Sequence, residues 1–237
     1  MWLMAEYQPT ALFSLKPAWA TSSGGKSMLL PTPYAIKMAL LDAACRTEGI
    51  QAAEAAWPLI RDLSVALRGP ESIVVTNTFT KILKPRRSEA APGSPHAGPY
   101  QKSIGFREYV FHAGPIDIGL EVSGERDTQR LSNWLLQINY LGKRGGFMQL
   151  LAAPELVGSL PEGFVRVVET EQEAFSLNGI AHQLDDTGPK VSFEQVNIYS
   201  GKNIKLGKDR VLRHVILPYR LERSSKSYSY YRRDSPE

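Results

Sequence analysis

Cysteine is nearly absent from this chain of 237 residues. Cys45 stands alone, which excludes an intramolecular disulfide and a cysteine-based metal site, and fits a reducing, cytoplasmic setting. Its place on the apolar side of an expected helix marks it as a small core residue. Metal-ligand spacing is also missing. Histidines 96, 112, 182 and 214 are scattered, no H-x-x-x-H pair and no G-x-S-x-G occurs, and so neither a metal nor a cofactor is expected. No apolar run approaches the roughly 20 residues of a membrane span. Met1, Trp2, Leu3, Met4, Ala5 and Glu6 lack the basic lead of an export signal, so the expectation is a chain neither exported nor embedded, with no membrane partner.

What is present is ordinary in amount and uneven in placement. Apolar residues make up 43% and charged residues 22%, with a formal net charge of +4, as in a globular protein with a real core. Between 81 and 107 stand Lys81, Lys84, Arg86, Arg87, Lys102 and Arg107 against Glu89. From 202 to 233 ten basic residues face only Asp209 and Glu222. These two stretches exceed the whole net charge, which leaves the remainder acidic. Such asymmetry favours a polyanion, because each phosphate contacted releases condensed counterions; the plainer reading is a solvated basic face.

Residues 106–122 organise the chain. Tyr109, Phe111, Ile116, Ile118, Leu120 and Val122 are apolar, several at period two, which predicts two strands joined at His112, Ala113, Gly114 and Pro115. Before them, 84–103 carries four prolines and almost no aliphatic residue, and so cannot form a core of its own; strands on both sides make it an inserted arm. The chain opens with a strand over 2–15, bulged near Pro9, then a polar loop ending Gly24, Gly25, Lys26, Ser27. A phosphate loop needs another glycine where Ala20 stands and a helix at Lys26, and lacks both. The helix begins instead with Thr32 as N-cap and Pro33 at its first position, with Ile36, Leu40, Ala43 and Ala44 inward.

A second helix is expected over 51–67, with Pro58 inside it and Trp57 as a core anchor, and a strand over 72–83. A third helix over 127–141, with Leu131, Trp134, Leu135, Ile138 and Leu141 inward, ends in a turn holding Gly142, Lys143, Arg144, Gly145 and Gly146. Exposed amides there, beside two cations, suit a phosphate; a plain C-cap is the alternative. Strands are expected at 147–151, 164–168, 191–199 and 211–221, and an acidic solvated run at 169–173. Asp185 and Asp186 fall in an expected turn. The tail interleaves Tyr228, Tyr230 and Tyr231 with Lys226, Arg232 and Arg233, a mixture that suits single-stranded RNA and equally a frayed terminus.

Three motifs resemble one family. They are Arg107-Glu108-Tyr109 opening a strand after a variable arm, Pro31-Thr32-Pro33 before an alanine-rich helix, and Tyr140-Leu141-Gly142-Lys143-Arg144-Gly145 closing the third helix. They resemble the Cas-five family of CRISPR-associated proteins in the RAMP superfamily, the Cascade subunit that holds the five-prime handle of the guide RNA. The likeness covers about residues 1–150, and departs from the commonest members at the second helix and the Gly-Gly-Lys-Ser loop. It implies an α+β fold: a ferredoxin-like (RRM-type) domain over 1–150, with a basic arm at about 80–106 as a thumb, and an additional β region over 151–237.

The function implied is crRNA binding within a type I Cascade. The chain would cap the handle, touch the backbone and large subunits, and meet target DNA only through the complex. Lys81, Lys84, Arg86, Arg87, Lys143 and Arg144 are the first candidates for phosphate contact, with Arg107, Lys205 and Lys208 after them. No catalytic residue is assigned. The alternative is metal-independent cleavage of precursor RNA, for which His112 near Tyr109 and His214 near Arg213 are the candidates. A third reading is a protein-only scaffold whose basic tail meets acidic partners.

Overall fold

Strand pairing brings distant parts of the chain together. In a computed structural model, residues 1–20, 25–88, 90–91, 93–95, 97–167 and 178–234 are described. The first part of the polar loop (21–24), Glu89, His96 and the acidic run at 169–173 lie outside the described residues.

The elements in order are β1 (Trp2–Pro9), α1 (Pro33–Glu48), α2 (Ile50–Arg61), β2 (Val65–Arg68), β3 (Ser72–Pro85), β4 (Tyr100–His112), β5 (Ile116–Glu121) and α3 (Glu125–Leu135). There follow β6 (Met148–Leu150), β7 (Glu155–Val157), β8 (Val165–Val167), β9 (Ile180–Thr187), α4 (Phe193–Val196), β10 (Arg210–Leu217), β11 (Tyr219–Ser224) and β12 (Tyr228–Arg233). The result is a mixed α and β protein with antiparallel sheets. The main sheet runs β6-β1-β5-β2-β8, with β7 sharing the β6 edge of β1. Across it Leu3, Ala5 and Tyr7 oppose Leu120, Ile118 and Ile116, while Val65 and Leu67 continue the same rows. All eight are buried, and each contributes about 1.5–3 kcal/mol on leaving water, less for Ala5. The Tyr7 hydroxyl donates to the Leu135 carbonyl at 2.7 Å, fixing α3 to this sheet.

Thr32 caps α1 as its sequence implies, accepting from the Ala35 amide at 3.2 Å with Pro33 next in line. Ala43 and Ala44 are fully buried, and let neighbouring elements come close. Other boundaries differ from the sequence reading. The second helix stops at Arg61, and Val65–Arg68 is a strand between β5 and β8. Leu63 and Leu67 keep helical spacing from Ile60, but a short apolar run fits either period, and pairing on both edges decides. The third helix ends at Leu135. Ile138 and Leu141 are buried from a tight turn in which the Gln137 and Ile138 amides bond three residues back. Where a strand was expected over 191–199, Ser192 and Gln195 form a capping box that starts α4. Asp185 and Asp186 stand on β9 rather than in a turn.

A second sheet, β11-β12-β3-β4, carries the candidate site. The tail is one of its inner strands, paired with β3 from Tyr228↔Thr76 to Arg232↔Ser72. The β9–β10 pair packs against α1 through a buried ion pair. Lys37 Nζ lies 2.6 Å from Asp186 Oδ1, 2.9 Å from the Arg61 carbonyl and 3.1 Å from Thr187 Oγ1. Asp185 pairs with Arg210 at 2.6 Å, and that guanidinium lies over the Tyr34 ring.

Candidate nucleic-acid interface

The inserted arm is a two-stranded hairpin. β3 and β4 pair without slippage from Ile73↔His112 to Pro85↔Tyr100, so only 86–99 is left to the connection. The enrichment in Val, Ile, Thr, Phe and Tyr explains the length of the pairing. Near the base, Ile73, Val75 and Val110 are buried; from Phe79 outward the side chains of β3 are exposed. The hairpin therefore projects from the core.

Period two divides its residues between two faces. Phe79, Phe106, Lys81, Ile104, Leu83 and Lys102 continue the face that is buried at the base. There Phe79 and Phe106 meet with ring centroids 5.3 Å apart, and Gly25 lies so close to Phe106 that a Cβ would strike its carbonyl. Glu108, on the same face, is buried and takes the Lys26 ammonium at 2.8 Å and the Ser27 amide at 2.9 Å. The described part of the Gly-Gly-Lys-Ser loop thus serves to dock the loop on β4.

The opposite face carries Thr76, Thr78, Thr80 and Lys84 from β3, with Arg107, Tyr109 and Phe111 from β4. Lys143 comes to this face from the turn after α3, its Nζ 5.5 Å from the Tyr109 ring centroid. Gly142 permits that turn with φ of 78° and packs against Leu15; a β-carbon there would be both strained and crowded. Partial burial first, and the nearby Arg107 charge second, lower the Lys143 pKa below its ordinary value. Arg107 and Lys143, 36 positions apart in sequence, thus share one patch, with Arg144 exposed on the same turn. Lys84 lies six positions beyond Thr78, the partner of Arg107, or ~20 Å along the strand.

The other candidates are placed separately. Lys81 is on the far face from Lys84. Arg86 and Arg87 follow the end of β3, where the Arg86 amide donates to the Pro99 carbonyl and its Nε to the Tyr100 carbonyl. Lys205 and Lys208 are exposed on a loop fastened to the start of β10, where the Lys205 amide donates to Asp209 Oδ2 at 2.9 Å. They thus belong to the β9–β10 pair, not the β3–β4 hairpin. His112 is buried, with Nε2 2.8 Å from the Leu29 carbonyl, and burial lowers its pKa to about 4. His214 is exposed on β10, its Nε2 2.8 Å from Gln183 Nε2. Sequence reasoning missed the Tyr109 and Lys143 contact. Period-two numbering from the buried Val110 puts Tyr109 on the outer face, but only the fold supplies the lysine.

No family model matches the chain. A curated relative, the CRISPR-associated protein Cas5 of Archaeoglobus fulgidus, is 26% identical over 206 residues, covering 85% of this chain and 86% of the relative. This bears out the family resemblance carried by the three motifs. Among solved structures, a CRISPR protein from Archaeoglobus fulgidus aligns over 99% of this chain and 92% of its own, at TM-score 0.46 and 13% identity. A chain of a CRISPR RNA-guided surveillance complex aligns over 91% of both, at TM-score 0.46 and 10% identity.

Proposed function

We propose that this chain, which resembles the CRISPR-associated protein Cas5 along most of its length, is the crRNA-binding subunit of a type I Cascade complex and caps the five-prime handle of the guide. The observation that carries the proposal is the long β3–β4 hairpin, exposed in its outer half and bearing Lys81, Lys84, Arg86, Arg87 and Lys102. A narrow projection with this charge suits a thumb laid across an RNA backbone, where attraction does not depend on sequence. Arg107, Lys143 and Arg144 at its root extend the same positive path. The strand order β6-β1-β5-β2, threaded by α1 and α3, supports reading the main sheet as a ferredoxin-like (RRM-type) core.

The backbone and large subunits are the protein neighbours in this proposal, and the setting is cytoplasmic. The role is binding rather than cutting; the burial of His112 and its bond to the Leu29 carbonyl support that choice.

The test is a titration of the purified chain with handle-bearing guide RNA across a salt series. In the triple variant Lys84→Glu, Arg86→Glu, Arg87→Glu, the slope of log affinity on log salt should fall by about 2, since each lost phosphate contact removes roughly 0.7 for a single strand. An unchanged slope would place the RNA elsewhere.

A further inference from the structure

The outer face of the β11-β12-β3-β4 sheet carries aromatic rings beside the cations Arg107 and Lys143. Its register sets Phe111, Val74 and Tyr230 side by side on β4, β3 and β12, with Arg223 next on β11. One pair along, Tyr109, Thr76 and Tyr228 form a second row. The buried residues Val110, Ile73 and Val75 and the core-packed Tyr231 point the other way, so these rings share the outer side. Phe111 is 51% exposed and Tyr228 37%, while Tyr109 and Tyr230 are partly exposed. Strand spacing puts rings of one row about 10 Å apart, and the two rows about 7 Å apart. Only Val74 and Thr76 stand between them on β3. An open cleft of about 490 Å³ lies over Val74, Tyr228 and Tyr230, with Arg223 and Arg232 among its walls.

We propose that this face is a stacking platform for unpaired bases of the RNA, with Phe111, Tyr228 and Tyr230 offering ring faces, Tyr109 flanking them under Lys143, and Arg107 and Arg223 meeting the flanking phosphates. The proposal rests on the RNA-binding reading above and adds where the bases go. Exposed rings on neighbouring strands of a small sheet, with cations around them, match what a single strand presents: flat bases and a charged backbone. A purely apolar protein partner matches less well. Arg107, Lys143, Arg223 and Arg232 ring the rows against Glu222, which pairs with Arg220, and Glu71, which pairs with Arg232. The platform also adjoins the proposed thumb, because Tyr109 and Arg107 are on one face of β4.

The test uses the full chain and a handle-bearing guide RNA with 2-aminopurine at successive handle positions. Phe111→Ala and Tyr228→Ala should each weaken binding about 5- to 100-fold, without change in the salt slope, and release the quenching of at least one 2-aminopurine. Tyr228→Phe, which keeps the ring, should bind as the parent does. Circular dichroism of each variant checks that the sheet is intact. If the parent binds RNA with a steep salt dependence and both alanine variants bind equally well, the platform is refuted while the RNA reading stands. Ring variants that keep RNA affinity but lose a protein subunit of the complex would make this face a protein contact and refute the platform too. If the parent binds no RNA at any salt, both proposals fall together.

Discussion

Single residues decide more of this fold than their surface chemistry suggests. Lys37 is a charged residue within α1, yet it is 1% exposed, and its ammonium ties α1 to Asp186 on β9. Burial lowers its pKa, and Asp186 opposes that shift. Lys37→Met should therefore destabilise the chain by roughly 3 kcal/mol, since buried Asp186 would lose its 2.6 Å ammonium and keep only Arg213, 3.9 Å away, as a cation partner. Adding Asp186→Leu should recover only part of the loss, because Arg213 then loses that carboxylate, as read by urea denaturation. His112 gives a prediction in pH. Its pKa is near 4 in the fold against 6.5 when unperturbed, so the folded state holds the neutral ring and the unfolded chain binds the proton first. The associated stability is fully present above pH 6.5 and is lost as pH falls towards 4, by roughly 3 kcal/mol in all. His112→Phe should flatten that part of the profile relative to the parent; identical profiles would contradict the assignment.

At the scale of elements, some signals in the sequence were local and others were not. The N-cap at Thr32, the apolar period of β5 and the arm between two strands were legible because each depends on neighbours in sequence. The end of α2 was not, since Leu63 and Leu67 suit a helix as well as a strand and only pairing with β5 and β8 separates the two. The same holds for the tail, where Tyr228–Arg233 becomes an inner strand because β3 and β11 accept it on both edges. Of the candidate site, the charge of the hairpin was legible, but its division into faces, with Lys81 and Lys84 opposed, required the register. Because the outer hairpin is exposed, cutting it back should cost little stability. A variant joining Thr80 to Gly105 through Asn-Gly should melt within a few degrees of the parent while losing RNA affinity and salt slope. A collapse in melting temperature would show that the hairpin supports the core.

For the whole molecule, two sheets divide the work: the main sheet with α1 and α3 forms most of the core, and the β11-β12-β3-β4 sheet extends outward as hairpin and ring-bearing face. With that division, a chain of only +4 net charge concentrates its positive charge on the projecting sheet and the C-terminal stretch, the distribution that the proposed RNA binding requires. If this surface holds the handle of a guide RNA as proposed, two RNAs that differ only in the handle should be told apart. Dissociation constants for handle-bearing and handle-scrambled guide RNAs would be measured with the purified chain across a salt series, with a precursor RNA followed for cleavage in the same buffer. The account predicts salt-dependent binding that prefers the handle and leaves the precursor intact. Equal affinity for both RNAs, or cleavage that is lost in a His214 variant, would contradict it.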